Sequence, residues 1–302
     1  MKLRPLVFGS ILALGAAGAA IAQQQPDWDA IQVTATQIRP GVAVLFGNGG
    51  NIGVSHGPDG TLIVDDQFAP LVPKIQGAIA GLGATPVKFL VNTHWHFDHA
   101  GGNEPFGKAG AIIVAQTRVR DRLAAGGAVA GNDSPPGPRE ALPIVTYDHG
   151  LSFHLNGDTI DLIHTGGGHT DGDTAVYWRK ANVLHTGDMM MNGAGFPFID
   201  LGSGGNVRHL ITSLDQMIAM TDADTVIIPG HGPLARRAEL IAWRGTIASA
   251  VERVSALKAA GRTLDQAKAA KPLAGLSNNP SAFIGDDAFV ESIWGSLEAH
   301  AL

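Results

Sequence analysis

The feature that most constrains this chain is a dense group of histidine and aspartate residues that directly follows an apolar run. Residues 87–91, Val-Lys-Phe-Leu-Val, are predicted to form a buried strand. Four side chains that can ligate a metal follow within six positions: His94, His96, Asp98 and His99. Imidazole and carboxylate are usual zinc ligands. Residues two apart point the same way in extended chain, so one ion can take the first two and a second ion the others. A surface cluster is the alternative, but this density at a strand end favours a metal site.

Three further ligand candidates follow, each beside glycine at the end of a short apolar strand. His169 lies in Gly-Gly-Gly-His-Thr, Asp188 in His-Thr-Gly-Asp and His231 in Pro-Gly-His-Gly. Loops on a rigid scaffold are where binding and catalytic residues concentrate. In this order, the four motifs resemble those of the metallo-β-lactamase-fold hydrolases, over roughly residues 42–231.

The resemblance implies an α+β protein with the four-layer αββα metallo-β-lactamase sandwich, the metals lying at its edge. The pattern of the chain agrees, because two runs of strands are each followed by helices. The first clear strand is predicted at 42–46. The predicted helices are 70–82, 116–125, 206–221, 235–261 and 287–300. Residues 23–302 are predicted to form one domain with a helical C-terminal tail, and residues 124–143, rich in glycine and proline, one long loop.

The resemblance also implies how the seven candidates divide between two ions. One ion is expected to be bound by three histidines, His94, His96 and His169. The other is expected to be bound by Asp98, His99 and His231, and Asp188 is expected to reach both ions. The expected cofactor is two zinc ions per chain, although iron and manganese accept the same ligands.

A centre of this kind implies hydrolysis of an activated carbonyl bond. Zinc lowers the pKa of bound water to about 7, so a hydroxide nucleophile is available at neutral pH. Asp98 is expected to orient that nucleophile and to carry a proton. Asn206 opens a predicted helix; it is either an N-cap or, as the resemblance implies, a catalytic group that binds the substrate carbonyl. Trp95, between two ligands, is expected to pack rather than to react.

The substrate stays open between β-lactams and lactones or other esters. Asp188 stands where some β-lactamases of this superfamily carry cysteine, which favours a lactone or thioester. Predicted export and the Gly-Asn start of the helix at 206 favour a β-lactam. The alternatives are a thioester hydrolase of the glyoxalase II type and an iron-dependent oxidoreductase similar to persulfide dioxygenases. His96 favours a hydrolase, because the related di-iron oxidoreductases carry glutamate there. A non-catalytic binding protein on the same fold is disfavoured by the complete ligand set.

The first 22 residues have the features of a signal peptide. A basic start precedes an apolar run and an Ala-Ile-Ala cleavage site at 20–22. The mature chain is therefore expected to start near Gln23, to be periplasmic or secreted, and to keep no membrane anchor. The net charge of −6 argues against binding nucleic acid, so the expected partner is a small-molecule substrate. The sequence contains no cysteine, which excludes disulfides and thiolate ligands.

Overall fold

The computed structural model describes residues 26–193, 195–277, 279 and 282–299. The predicted signal peptide, residues 1–22, lies outside the described residues. Two large β-sheets pack face to face, and helices cover both outer faces. The predicted αββα sandwich is therefore confirmed.

The elements of the described residues are numbered in chain order. The strands are β1 Thr34–Arg39, β2 Val42–Phe46, β3 Ile52–Ser55, β4 Thr61–Val64, β5 Val87–Asn92, β6 Ile112–Gln116, β7 Gly127–Val129, β8 Asn132–Ser134, β9 Val145–Tyr147, β10 Gly150–Leu155, β11 Asp158–His164, β12 Thr174–Trp178, β13 Val183–His185, β14 Val226–Ile228 and β15 Ala235–Arg236. The helices are α1 Val72–Gly81, α2 Phe97–Ala100, α3 Asn103–Lys108, α4 Thr117–Ala125, α5 Val207–Met220, α6 Arg237–Ala259, α7 Leu264–Ala269 and α8 Asp286–Glu298.

Each sheet combines antiparallel and parallel pairing. The first has the order β1-β2-β3-β4-β5-β6-β9; it is antiparallel as far as β4 and parallel from β4 to β9. The second has the order β10-β11-β12-β13-β14-β15, and only β13 and β14 are parallel. Parallel strands end at the same edge of a sheet, so the loops that follow β13 and β14 lie together. The packing of the two sheets brings the loop that follows β5 to the same edge.

Three apolar layers hold the sandwich together. Alternate residues of a strand face opposite sides of the sheet. In β2, for example, Val44 points between the sheets and Leu45 points towards α1. On the other outer face, α5 buries Leu210 and Leu214 completely against the second sheet, together with α6 and α8. Complete burial of one such side chain contributes about 1.5–3 kcal/mol, which fixes the helix that follows the ligand loops.

The composition of segment 124–143 predicts one long loop, and this prediction is wrong. The segment contains a hairpin of β7 and β8 and a 3₁₀ turn at Arg139–Ala141. The turn residues Ala130 and Gly131 both have positive φ, 50° and 80°, as tight hairpin turns require. Each strand has only three residues, too few to show an alternating pattern. Val129 is buried against Trp95, which fixes the hairpin beside the metal motif.

The apolar pattern of the sequence also does not predict three strands at the edges of the sheets, β1, β9 and β15. Strand β1 is mostly exposed and polar, and β9 and β15 have three residues and two. The predicted helices are otherwise present to within three residues at their ends. Within the described ranges, no helix combines the length and the apolar character that crossing a membrane requires.

Candidate metal centre

The seven predicted ligands converge at one edge of the sandwich. Their ligand atoms form three overlapping groups, and within each group these atoms lie within 4.8 Å of one another. The groups are His94, His96 and His169; His94, His99 and Asp188; and Asp98, His99 and His231.

The local backbone explains how a single motif serves both halves of this centre. Strand β5 ends at Asn92, and the chain is still extended at His96, where φ is −64° and ψ 147°. The rings of His94 and His96 lie 4.7 Å apart, edge to face. Helix α2 then begins at Phe97 and carries Asp98 and His99 towards His231. The change from extended chain to helix therefore divides the motif between two positions.

Two imidazoles of the first half, those of His96 and His169, are each held through the nitrogen that faces away from the centre. His96 Nε2 lies 2.9 Å from Asp200 Oδ2, and His169 Nδ1 lies 2.7 Å from the carbonyl oxygen of Phe198. His96 Nδ1 and His169 Nε2 consequently face each other at 2.9 Å. Outer partners of this kind fix ring orientation and tautomer in metal sites.

The second half repeats this arrangement with a buried carboxylate. His99 Nδ1 lies 2.7 Å from Asp65 Oδ2, and both residues are fully buried. Asp65 also accepts hydrogen bonds from the amide and the hydroxyl of Thr93, at 2.7 and 2.8 Å. His99 Nε2 is left facing His231 Nε2 at 3.2 Å.

Asp188 stands between the two halves. Its Oδ1 lies 3.0 Å from His99 Nε2, and its Oδ2 lies 3.4 Å from His231 Nε2 and 3.7 Å from His169 Nε2. A 3₁₀ turn at Gly187–Met189 presents this carboxylate. The turn needs glycine at 187, where φ is 51° and a Cβ would approach Thr93.

The donor set fits metal ions. Among the residues that the structure describes, His94 Nε2 is buried and has no hydrogen-bond partner. Asp188 Oδ1 is also buried and makes no well-aligned hydrogen bond, although His99 Nε2 lies 3.0 Å away. Such groups are costly unless something satisfies them. Nitrogen and oxygen donors without thiolate suit zinc, iron or manganese.

The electrostatics of the centre separate its two halves. Burial lowers the pKa of His169 to about 4, with a contribution from His96. Burial alone would also lower the pKa of His231, but Asp188 and Asp98 raise it to about 10. Burial alone would raise the pKa of Asp188, yet His99 and His231 hold it well below its usual range. His169 is therefore a neutral imidazole, whereas the carboxylates of the second half hold a proton on His231 that a metal ion would have to displace.

The expected catalytic role of Asn206 is corrected by its surroundings. This residue is the N-cap of α5: its Oδ1 accepts a hydrogen bond from the Arg208 amide, and its Nδ2 donates to the Ser296 carbonyl. Only 5% of it is exposed. Both polar atoms of the side chain are thus committed to backbone, which leaves the N-cap alternative.

Two carboxylates that position ligands, Asp65 and Asp200, are absent from the sequence-based site. Asp65 directly follows β4, and an acidic residue at the end of an apolar strand is a signal that could have marked it. Asp200 sits in an irregular segment, and nothing in the sequence links it to His96. Trp95 packs as expected, with its Nε1 donating to Ser203 Oγ at 3.0 Å.

Together, the αββα sandwich and the histidine–aspartate centre at its edge define a protein of the metallohydrolase class. The chain belongs to the metallo-beta-lactamase superfamily, whose sequence profile matches residues 47–231, more than half of the chain.

The relatives agree on the class. The chain is 29% identical over 184 residues to a probable metallo-hydrolase, YqgX, of Bacillus subtilis, covering 57% of this chain and 83% of that protein. It is 27% identical over 183 residues to the hydroxyacylglutathione hydrolase of Brucella ovis, covering 58% and 59%. A metallo-beta-lactamase from Pontibacter korlensis has the same fold, with a TM-score of 0.58, 20% identity and coverage of 70% and 96%.

Proposed function

We propose that this protein is a dinuclear zinc hydrolase that opens an activated carbonyl bond of a small molecule. The observation that carries the proposal is the convergence of seven ligand side chains, with Asp188 within 3.7 Å of ligand nitrogens in both halves. Membership of the metallo-beta-lactamase superfamily supports the reaction class.

The ligands of the proposed centre would divide as the geometry groups them. His94, His96 and His169 would hold one ion; Asp98, His99 and His231 would hold the other, and Asp188 would contact both. When bound, such ions polarise a carbonyl oxygen and lower the pKa of water.

The two aspartates of the centre differ in access. Asp188 is 5% exposed, and its role is to offset the charge between the two halves. The Asp98 side chain is 23% exposed, and its Oδ2 lies 3.3 Å from His231 Nε2. Burial alone would raise the pKa of Asp98, but His99 and His231 lower it. Asp98 is thus an ionised acceptor at the open side, able to orient a water molecule and to take its proton.

The bond attacked is proposed to be that of a lactone, an ester or a thioester, with β-lactams as the competing class. An aspartate at position 188 supports the first group, and the similarity to a hydroxyacylglutathione hydrolase supports thioesters. The fold is also that of a metallo-beta-lactamase, which keeps β-lactams in the test.

A substrate panel on zinc-loaded protein tests this proposal. A lactone, a p-nitrophenyl ester, a thioester and a chromogenic β-lactam are assayed beside protein stripped of metal by a chelator. We expect hydrolysis of at least one carbonyl substrate, lost on stripping and restored by zinc. Fully zinc-loaded protein that cleaves none of the four classes would contradict the proposal. Activity that needs iron and persulfide instead would favour the oxidoreductase alternative.

We further propose that the chain is exported and acts in the periplasm or outside the cell. The support is the basic start, the apolar run and the Ala-Ile-Ala site within residues 1–22. N-terminal sequencing of protein from the producing cell should begin near Gln23. A functional pool that retains Met1 would contradict export.

A further inference from the structure

Among the described residues, Phe283 is the most exposed large apolar side chain, with 73% of it accessible to solvent. A single exposed apolar residue needs no explanation by itself. The position of Phe283 is unusual for two reasons: the next residue, Ile284, pairs with Gly195, and the Phe283 ring contacts Phe198, which lies beside two histidines of the centre.

The C-terminal segment that carries Phe283 is fastened to the loop that follows Met191. Ile284 pairs with Gly195 as an isolated parallel bridge, and Asn279 Nδ2 donates to the Gly193 carbonyl at 2.9 Å. Phe196 stacks on Phe289 of α8 with ring centroids 4.8 Å apart. The loop itself is joined to a ligand, because the Asn192 amide donates to the His231 carbonyl. Phe283 is therefore held at a defined place relative to the centre.

Phe198 connects the exposed ring to the ligands. The Phe283 and Phe198 rings meet edge to face, with centroids 6.4 Å apart. The Phe198 ring lies 5.8 Å from that of His96 and 5.7 Å from that of His169. A continuous aromatic surface, here called the aromatic shelf and made of Phe198 and Phe283, thus runs from solvent to the first half of the centre.

The shelf is stiff on the protein side. Phe198 packs against the buried cluster of Trp95, Val119 and Val129, and its carbonyl oxygen accepts from His169 Nδ1. Aromatic rings offer a large apolar contact at a small cost in conformational entropy. A rigid shelf of this kind is suited to bind part of a ligand without first rearranging.

The charges around the shelf favour a neutral ligand. No lysine occurs between Lys180 and Lys258 in the sequence. The guanidinium of Arg122, near the His169 loop, makes a bidentate pair with Asp171 at 2.7 Å and is committed to that carboxylate. Arg122 therefore offers no free positive charge to an anionic ligand, whereas the shelf offers aromatic surface.

We propose that the aromatic shelf determines specificity by binding the acyl chain of a neutral ester or lactone whose carbonyl lies at the metal centre. The inference rests on the proposed hydrolase function and adds the chemistry of the group beside the reacting carbonyl. It makes Phe283, from the C-terminal tail, part of the substrate site.

Chain-length dependence tests the shelf. The zinc-loaded wild type, Phe283→Ser and the control Ile144→Ser are compared on acetyl, butyryl and octanoyl esters of p-nitrophenol. Ile144 is 71% exposed, and it precedes β9 at the end of the parallel strands opposite the ligand loops. We expect kcat/KM of the wild type to rise with chain length. Phe283→Ser should lose about tenfold on the octanoyl ester, mainly through KM, and less than about twofold on the acetyl ester. Ile144→Ser should match the wild type.

The outcomes separate the shelf from the reaction. Hydrolysis without chain-length dependence, or an equal loss on all three esters in Phe283→Ser, would overturn the shelf and leave the hydrolase proposal intact. Octanamide, a neutral carbonyl compound that resists hydrolysis, supplies a second readout by calorimetry. Its affinity should fall about tenfold in Phe283→Ser and stay unchanged in Ile144→Ser. Equal binding by the wild type and Phe283→Ser would overturn the shelf even if no ester were cleaved.

Discussion

Replacing Asp65 by asparagine is expected to weaken the second half of the metal centre without touching a ligand. Asp65 Oδ1 accepts from the Thr93 amide, and its Oδ2 is shared by the Thr93 hydroxyl and His99 Nδ1. In Asp65→Asn the amide oxygen can keep the first bond, so the amide NH₂ faces the His99 ring. Two hydrogen-bond donors, the amide NH₂ and His99 Nδ1–H, then face each other. This unfavourable contact is removed only if the His99 proton moves from Nδ1 to Nε2. Protonated Nε2 cannot bind a metal ion.

The expected size of this effect follows from the partners lost. Mutating an outer partner of a metal-bound histidine typically costs about 10–100-fold in metal affinity, or roughly 1.4–2.8 kcal/mol. Competition of zinc-loaded protein with a chelator measures the affinity of each site. We expect the weaker site of Asp65→Asn to lose affinity by this factor, while the stronger one stays within about threefold of the wild type.

A matched control separates this effect from general damage. Asp161 is another buried aspartate; it accepts from Ser152 Oγ at 2.6 Å and pairs with Arg179, on a strand that carries no ligand. Asp161→Asn should lower the melting temperature but leave both zinc affinities unchanged. If Asp65→Asn retains wild-type affinity at both sites, the tautomer argument is wrong.

Two further predictions concern the centre itself. Asp188→Asn should lower kcat/KM on the best substrate at least about a hundredfold, near 2.7 kcal/mol, because the charge between the two halves is lost; near-native rates with both metals retained would refute this. Zinc binding to metal-free protein should release protons, because the pKa of His231 is raised to about 10 and that of His99 is also raised, whereas zinc takes neutral imidazole. Zinc affinity should therefore increase as pH rises towards 10. Calorimetry in buffers of different ionisation enthalpy should show the release of protons on zinc binding. A zinc affinity that does not depend on pH would contradict this prediction.

The convergence of the seven candidate ligands could be predicted because each belongs to a short motif at the end of a strand. His94 to His99 stand within six residues, and His169, Asp188 and His231 each follow an apolar strand beside glycine. Local sequence carries such features, and the structure brings all of them together.

The residues that orient the ligands could not be predicted in the same way. Asp200 meets His96 across 104 positions of sequence, and Asp65 meets His99 across 34. Their contacts exist only once the sheets have packed. The same holds for Phe283, which reaches Phe198 only because the C-terminal segment pairs with Gly195. Asn206 shows the converse: a motif marked it as a catalytic candidate, whereas its side chain caps α5 and donates to the Ser296 carbonyl of α8.

The number of metal ions bound per chain tests the central claim most directly. The measurement is native mass spectrometry of protein stripped by a chelator and reloaded with excess zinc, together with elemental analysis of the same sample. The convergence of seven ligands around Asp188 predicts two zinc ions per chain, and Asp188→Asn should retain fewer. A firm stoichiometry of one zinc ion in the reloaded wild type would contradict the dinuclear centre.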